Sequence, residues 1–324
     1  MMDNSAVVLH KGKDKAIKNR HHWIFSGAVK TLPAFENGNI LAVRSADGEF
    51  LGCAYFNRES SIIGRMISFD DRPPLETLKT NVEQALILRK SFFDDDTNAY
   101  RLINGEGDRI PGLIVDRYKD VLVVQVSTLG MEKLKPFLVD LLVQRLSPRS
   151  VYEKSNLPSR REEGLPMFEG LLYGEPVRTI EVLENGRRFL IDILESQKTG
   201  FYLDQREMRK LVQTLSGGRR VLNAFSYTGS FSVFALASPS FPSYAAATSY
   251  FLDFKINVTA FTKSGSSSTI RIFFAISFHL LVCLIHPKAA RSCQRSFLYP
   301  SIPFPGGSVP PPAVGFRVAP GVLW

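Results

Sequence analysis

After Ala237 the chain nearly stops using acidic side chains. The last 87 residues hold one acid, Asp253, beside 7 Lys+Arg, 13 serines and 10 of the chain's 19 prolines. A parallel α/β sheet needs strands alternating with crossover helices, and this stretch shows no such rhythm. Residues 300–320 are rich in Pro and Gly and have no apolar period. Ordinary α/β domains carry Asp and Glu throughout. Two readings stay open for residues 238–324: a disordered extension, or out-of-frame translation after a frameshift or missed splice. Under either, no strand beyond 237 is expected to join what precedes it.

The same break redistributes the net charge of +9. Residues 1–236 carry 33 Lys+Arg against 30 Asp+Glu, a net of +3, and the remainder carries +6. The basic total therefore says less about polyanion binding than it suggests. Cys53, Cys283 and Cys293 have no metal-ligand spacing and form no even disulfide framework, so no metal is expected and a reducing, cytoplasmic compartment is. The first 25 residues lack an apolar signal core. The longest apolar stretch, 272–285, would span about 21 Å as a helix against roughly 30 Å of hydrocarbon, so no membrane span is expected.

At 324 residues the chain has room for two or three domains. β-rich runs at 6–9, 40–45, 50–56 and 61–68, separated by Asn37-Gly38 and Asp47-Gly48, predict a small β-barrel or sandwich. Asp70, Asp71, Pro73 and Pro74 break the pattern and mark a boundary. Residues 75–93 have helical spacing. Strands at 113–118 and 121–127, a helix at about 131–146 with Pro136 in its first turns, a strand at 151–155 and a hairpin turning at Asn185-Gly186 predict an α+β middle region. A helix at 205–215, closed by Gly217-Gly218, precedes a strand at 221–225, a glycine turn and a helix from 231. That is the opening of a Rossmann-type domain.

Four blocks carry candidate chemistry. KGKDKAIKNRHHWIFSGAV (11–29) interleaves basic residues with Trp23 and Phe25, which suits phosphate contact plus base stacking. Lys11, Lys13, Arg20, His21 and Trp23 are its candidate RNA contacts; the alternative is a solvated basic face over a core tryptophan. YRLINGEGDRIPGLIVDRY (100–118) lacks the Lys-Ser/Thr of a phosphate loop and reads as tight turns between strands, with Arg101 and Asp116 as a structural ion pair. QKTGFYLDQREMR (197–209) reads as a lid beside a pocket, with Arg206 available for a carboxylate. Its alternative makes Asp204 a helix cap and Arg206 a surface residue. VLNAFSYTGSFSVFALA (221–237) puts Gly229 between a strand and a helix N-terminus, where a backbone can approach a ligand. Its single glycine and the hydroxyls of Ser226, Thr228 and Ser230 favour a nucleoside over a dinucleotide; an ordinary β–α turn is the alternative.

Together and in this order, these blocks resemble the S-adenosylmethionine-dependent 23S rRNA cytosine-5 methyltransferases that carry an N-terminal PUA domain. The resemblance covers about residues 7–237. It implies a PUA-like RNA-binding barrel at 1–70, an α+β middle domain at 72–190, the start of an α/β Rossmann-type methyltransferase domain at 191–237, and a non-matching tail at 238–324. It implies S-adenosyl-L-methionine as cofactor, with Phe225, Ser226, Tyr227, Thr228 and Gly229 lining its site and Lys198, Thr199, Tyr202, Asp204 and Arg206 beside it. Ribosomal RNA is the implied partner, and a homodimer is compatible with it. His22 stands where the family usually has Pro, and Ser230 where it often has Gly.

The large departure is the missing second half. The family continues with an acid for the ribose hydroxyls, then Asp-Pro-Pro, then a nucleophilic cysteine in a Ser-Cys-Ser setting. Asp253 is the one acid left for the first role, Asp-Pro-Pro is absent, and Cys283 and Cys293 match neither setting. No catalytic residue is therefore assigned. The expectation is a chain of this family that does not itself transfer methyl groups. The rival is an RNA-binding module without catalysis.

Overall fold

Alternating apolar residues build the N-terminal sheet. Its elements are β1 (Val7–Leu9), α1 (Lys15–Lys18), β2 (Trp23–Ile24), β3 (Val29–Thr31), β4 (Ile40–Arg44), β5 (Phe50–Phe56) and β6 (Gly64–Ser68). The computed structural model describes residues 6–196, 198–224 and 227–237, with four strands beyond them. Two compact units are present, Met1–Leu203 and Asp204–Trp324. In the first, the six strands run β2-β6-β5-β4-β1-β3, with β1–β4 parallel and the other pairs antiparallel. Val7, Leu9, Ile24, Val43, Ala54, Phe56 and Met66 point to one core, which Ile17 of α1 closes. Gly52 of β5 has a φ of +125°, and a Cβ there would strike the Ser68 carbonyl, so this close approach to β6 requires glycine.

A second sheet follows. Its elements are α2 (Pro74–Phe92), β7 (Ala99–Asn104), β8 (Leu113–Tyr118), β9 (Val121–Val126), α3 (Leu129–Leu146), β10 (Ser150–Ser155), α4 (Ser159–Glu162) and β11 (Phe168–Gly174), with strand order β11-β10-β9-β8-β7. Pro74 opens α2, where its missing N–H costs nothing. Leu78, Val82 and Ala85 of α2 and Met131, Leu138, Leu141 and Leu142 of α3 enter one core with the sheet. α3 is the crossover between parallel β9 and β10. Pro136 lies inside α3, not in its first turns as the spacing suggested, because the helix begins two residues earlier, at Leu129. A hairpin of β12 (Thr179–Glu184) and β13 (Arg187–Asp192) completes the unit; Asn185 and Gly186 turn it with φ of 49° and 72°.

One side chain belongs to both sheets. Tyr55 sits on β5, yet its fully buried ring packs in the core of the second sheet. Its hydroxyl donates to the Pro111 carbonyl at 2.9 Å, so the Thr128 hydroxyl, also at 2.9 Å, must donate to it. Gly130 of α3 lies flush on the ring, and a Cβ there would overlap it.

The second unit contains α5 (Arg206–Leu215), β14 (Arg220–Ala224), α6 (Ser230–Leu236), β15 (Tyr244–Tyr250), β16 (Ile256–Phe261), β17 (Ile272–Ser277) and β18 (His279–Leu284). Val212, Val221 and Ala235 form its small core. β15 pairs in parallel with β14, and β16 antiparallel with β15. This corrects the expectation that no strand beyond 237 would join 221–225. β14 offers an unpaired backbone edge, and α6 supplies the crossover that a parallel neighbour needs.

Gly130→Ala is expected to destabilise the first unit by about 1–3 kcal/mol, since the methyl overpacks the Tyr55 ring. Urea unfolding followed by circular dichroism checks this; an unchanged midpoint would mean that the ring can move aside.

Candidate functional site

The basic and aromatic run at 11–29 folds as a turn, the short helix α1, the edge strand β2 and a further helical turn that leads into β3. Alternation along β2 sends Ile24 into the core and leaves Trp23 and Phe25 exposed, at 37% and 51%. The alternative of a core tryptophan therefore fails. Lys11, Lys13, Arg20 and His21 are exposed as well. Arg20 lies 5.3 Å from the Phe69 ring centroid, and His21, Trp23 and Phe25 make successive edge-to-face contacts. Lys18 pairs with Asp14 and Glu49. The structure thus brings the five predicted RNA contacts onto one exposed segment. It adds a partner that local reading missed: the Trp23 indole N–H donates to Glu106 Oε1 at 2.8 Å.

His22 behaves differently from its neighbours. It is buried, and its Nδ1 lies 2.8 Å from the Met66 carbonyl, which requires the proton on Nδ1. Burial holds its pKa below the ordinary 6.5. The unfolded chain takes up this proton near 6.5 while the folded chain stays neutral, so stability is lost as pH falls below about 6.5. Urea midpoints at about pH 7.5 and 5.5 should differ less in His22→Asn than in the wild type; equal differences would remove His22 as the cause.

The QKTGFYLDQREMR block crosses the boundary between the units. Lys198, Thr199 and Tyr202 belong to the first unit, Asp204 and Arg206 to the second. Within the first unit, two buried polar anchors hold the stretch that leads to Leu203. The Lys154 ammonium donates to the carbonyls of Ile193 at 3.0 Å, Leu194 at 3.4 Å and Ser196 at 2.9 Å. Burial holds its pKa below the ordinary lysine value. Three residues on, Thr199 donates to Asp116 Oδ2 at 2.6 Å, and Arg101 Nε grips Asp116 Oδ1 at 2.8 Å, the ion pair expected from sequence.

The hydrogens of this network can be assigned. The single proton of Thr199 goes to Asp116, so Tyr118, 3.0 Å from the Thr199 oxygen, must donate to it. Tyr118 in turn accepts the Phe201 N–H at 3.0 Å. Burial first, then the Asp116 charge, pushes the Tyr118 pKa above its usual range, so it remains a donor. Gly200, at a φ of +153°, passes so close to the Tyr118 ring that a Cβ would stand 3.0 Å from it. Lys198 takes a left-handed φ of 54° and sets its ammonium 4.6 Å from the Tyr202 ring centroid.

In the second unit, Asp204 lies in a short turn and Gln205 holds the N-cap position of α5, so Asp204 is not its cap. Arg206 pairs with Glu207 at 3.1 Å. Phe225 and Ser226 lie outside the described residues. Tyr227 has a left-handed φ of 50°, Thr228 is exposed, and Gly229, with a φ of 72°, caps α6 with nothing within 4 Å of where its Cβ would stand. Asn223 of β14 donates to Ser232 of α6 at 3.2 Å and closes this turn. Cys283 lies on β18, while Asp253 and Cys293 lie outside the described residues. Among the described residues no acid, cysteine and histidine cluster could hold a metal, and no helix is long and apolar enough to cross a membrane.

Residues 7–69 match the PUA-like domain family, and residues 167–245 match the S-adenosylmethionine-dependent methyltransferase family. Proteins named ribosomal RNA large subunit methyltransferase I, from Yersinia pseudotuberculosis serotype O:1b (strain IP 31758) and from Yersinia pestis, are each 38% identical over 235 residues, 71% of this chain. The chain thus combines a PUA-like domain match with an S-adenosylmethionine-dependent methyltransferase domain match. It spans 59% of the length of those relatives. A solved structure described as a SAM-dependent methyltransferase from Streptococcus mutans is 26% identical, with a TM-score of 0.61, over 75% of this chain and 62% of that one. A second methyltransferase structure, complexed with SAH, shares the fold at a TM-score of 0.62 and 24% identity, over the same shares. The methyltransferase match begins at 167, inside the region read from sequence as the middle domain.

Asp116 and Tyr118 were not singled out as partners of the 197–209 block, nor Lys154 as the anchor of residues 193–196 just before it, because their partners lie 39 to 83 residues away. Thr199→Val removes the link between Asp116 and Tyr118 and should cost about 1–3 kcal/mol. Trypsin should then cleave faster after the exposed Lys198. An unchanged cleavage rate would show that this network does not hold the segment.

Proposed function

We propose that this chain is the RNA-binding part and the cofactor-site opening of an enzyme that methylates cytosine C5 in 23S rRNA, and that the chain itself binds RNA without transferring a methyl group. The observation that carries the RNA half is the exposed segment of Lys11, Lys13, Arg20, His21 and Trp23 within the PUA-like match. Basic side chains meet phosphates, and Trp23 offers an open face for a base. The rRNA target follows the printed names of the relatives. Under this proposal, barrel, middle domain, methyltransferase start and non-matching tail divide near residues 70, 190 and 237.

S-adenosyl-L-methionine would supply an electrophilic methyl group when bound. The residues present fit it in part. Open space beside Gly229 and the left-handed Tyr227 suit a nucleoside against the backbone. Thr228 supplies a hydroxyl, and Asp204, Arg206, Phe225 and Ser226 are the other candidates on the second unit, while Lys198 and Tyr202 remain candidates on the first. Thr199 has its hydroxyl committed to Asp116 and Tyr118, so its role is to position the segment rather than to touch the cofactor. An acid for the ribose and a cysteine aimed at C6 are the parts this chain lacks by family pattern. Cytosine C5 is a poor nucleophile until a covalent adduct forms, so lacking the cysteine alone stops the reaction.

The test is tritiated methyl transfer to 23S rRNA lacking the modification, beside electrophoretic shifts at two salt concentrations. A shift that weakens with salt, and no methyl incorporation, are expected. Incorporation abolished by changing Cys283 or Cys293 would overturn the inactivity; no shift at low salt would overturn the RNA binding.

A further inference from the structure

The first unit holds a cavity of about 240 Å³ lined by residues of its two sheets and by none of residues 197–209. On one side stand Trp23 and Arg65, a cross-strand pair of β2 and β6. On the other, Asn104, Ile114 and Gln125 lie in register across β7, β8 and β9 and so share one face. Glu106 closes the rim through its bond from the Trp23 indole.

We propose that this cavity receives one unstacked base of a bound RNA strand. Size is the first argument. Pockets for drug-sized ligands occupy about 300–1,000 Å³, so this cavity suits a single ring system rather than a whole nucleoside cofactor. Shape and chemistry are the second. Trp23 supplies an aromatic wall whose orientation is fixed by the bond to Glu106, and Ile114 supplies an apolar floor between two amides. Gln125 Nε2 spends one hydrogen on the Lys154 carbonyl at 3.0 Å, which orients the amide and leaves its Oε1 and second N–H for a base edge. Arg65 is held through Nη1 by the buried Glu163 at 2.7 Å, leaving Nε and Nη2 to meet a phosphate or carbonyl oxygen. Unstacked bases are recognised in this way, by stacking plus hydrogen bonds to their edges. The third argument is continuity: Trp23 belongs both to the cavity and to the exposed basic segment, so a strand tracking that segment passes the cavity mouth. The inference rests on the RNA-binding reading above.

The probes are fluorescein-labelled rA5, rC5, rG5 and rU5, an abasic strand of equal length, and the four free nucleosides, titrated against the full chain. The wild type should rank the four strands unequally and bind the abasic strand about 5- to 150-fold more weakly than its best strand, the worth of one stacked base. Trp23→Ala should bring that strand down to the abasic level, and Trp23→Phe should restore most of the loss. Gln125→Ala should level the ranking while keeping the salt dependence; Asn104→Ala, an exposed position in the same row, gives the same reading should Gln125→Ala fail to fold. Abasic binding as strong as the best strand, or a ranking unmoved by Gln125→Ala and Asn104→Ala, would overturn the cavity proposal and leave RNA binding standing. Free nucleosides binding as tightly as the strands would overturn the RNA source. No binding of any strand, or of structured RNA, would overturn both readings.

Discussion

Tyr55 is the constraint on which the first unit depends. It is a strand residue of one sheet and a core residue of the other, so the two sheets cannot be displaced without uncovering its ring. Its hydroxyl is satisfied by Pro111 and Thr128, which is what allows a tyrosine to be buried at such a junction. Gly130 and Gly112 lie against this group because larger residues would collide with Tyr55 or Thr128. The buried Glu163 reinforces the junction by accepting from Asn57, Arg65 and the Leu129 N–H. The cavity beside Trp23 is lined by residues of both sheets that these contacts join.

Buried charge does a second kind of positioning. Asp116, Lys154, Glu153 and Arg160 are all buried, and each has partners. A buried pair adds little net stability over an apolar replacement, but breaking it is costly. That asymmetry makes such groups suited to fixing where a loop lies. Asp116 and Lys154 use it on residues 193–201, inside the methyltransferase match and just before the second unit begins. The left-handed Lys198 and the close approach of Gly200 to Tyr118 persist because the hydrogen-bonded network over-determines that path.

Local signals were legible where one element decides its own form. Short β-rich runs bounded by turn residues marked β4, β5, β8 and β9, helical spacing marked α2, and Asn185-Gly186 marked its hairpin. The Arg101–Asp116 pair was legible because β7 and β8 are neighbours and the two residues face each other in register. The start of α3 was misplaced, so Pro136 fell deeper in the helix than expected; helix ends depend on tertiary contacts that propensity does not see. The pairing of β15 with β14 was missed because composition reports what a segment lacks, not which open edge it meets.

The sequence by itself determined the order of blocks, the resemblance to PUA-like and methyltransferase domains, and which residues carry charge, stacking surface and turn chemistry. These follow from residue type and short spacing, which the chain states directly. Only the tertiary structure decided that Trp23 is exposed and tied to Glu106, that Thr199 is spent on Asp116 and Tyr118, and that Arg65 and Gln125 face one cavity. Each of these joins residues about 60 to 80 positions apart or more, and such partners are chosen by how sheets pack around Tyr55 rather than by any local preference.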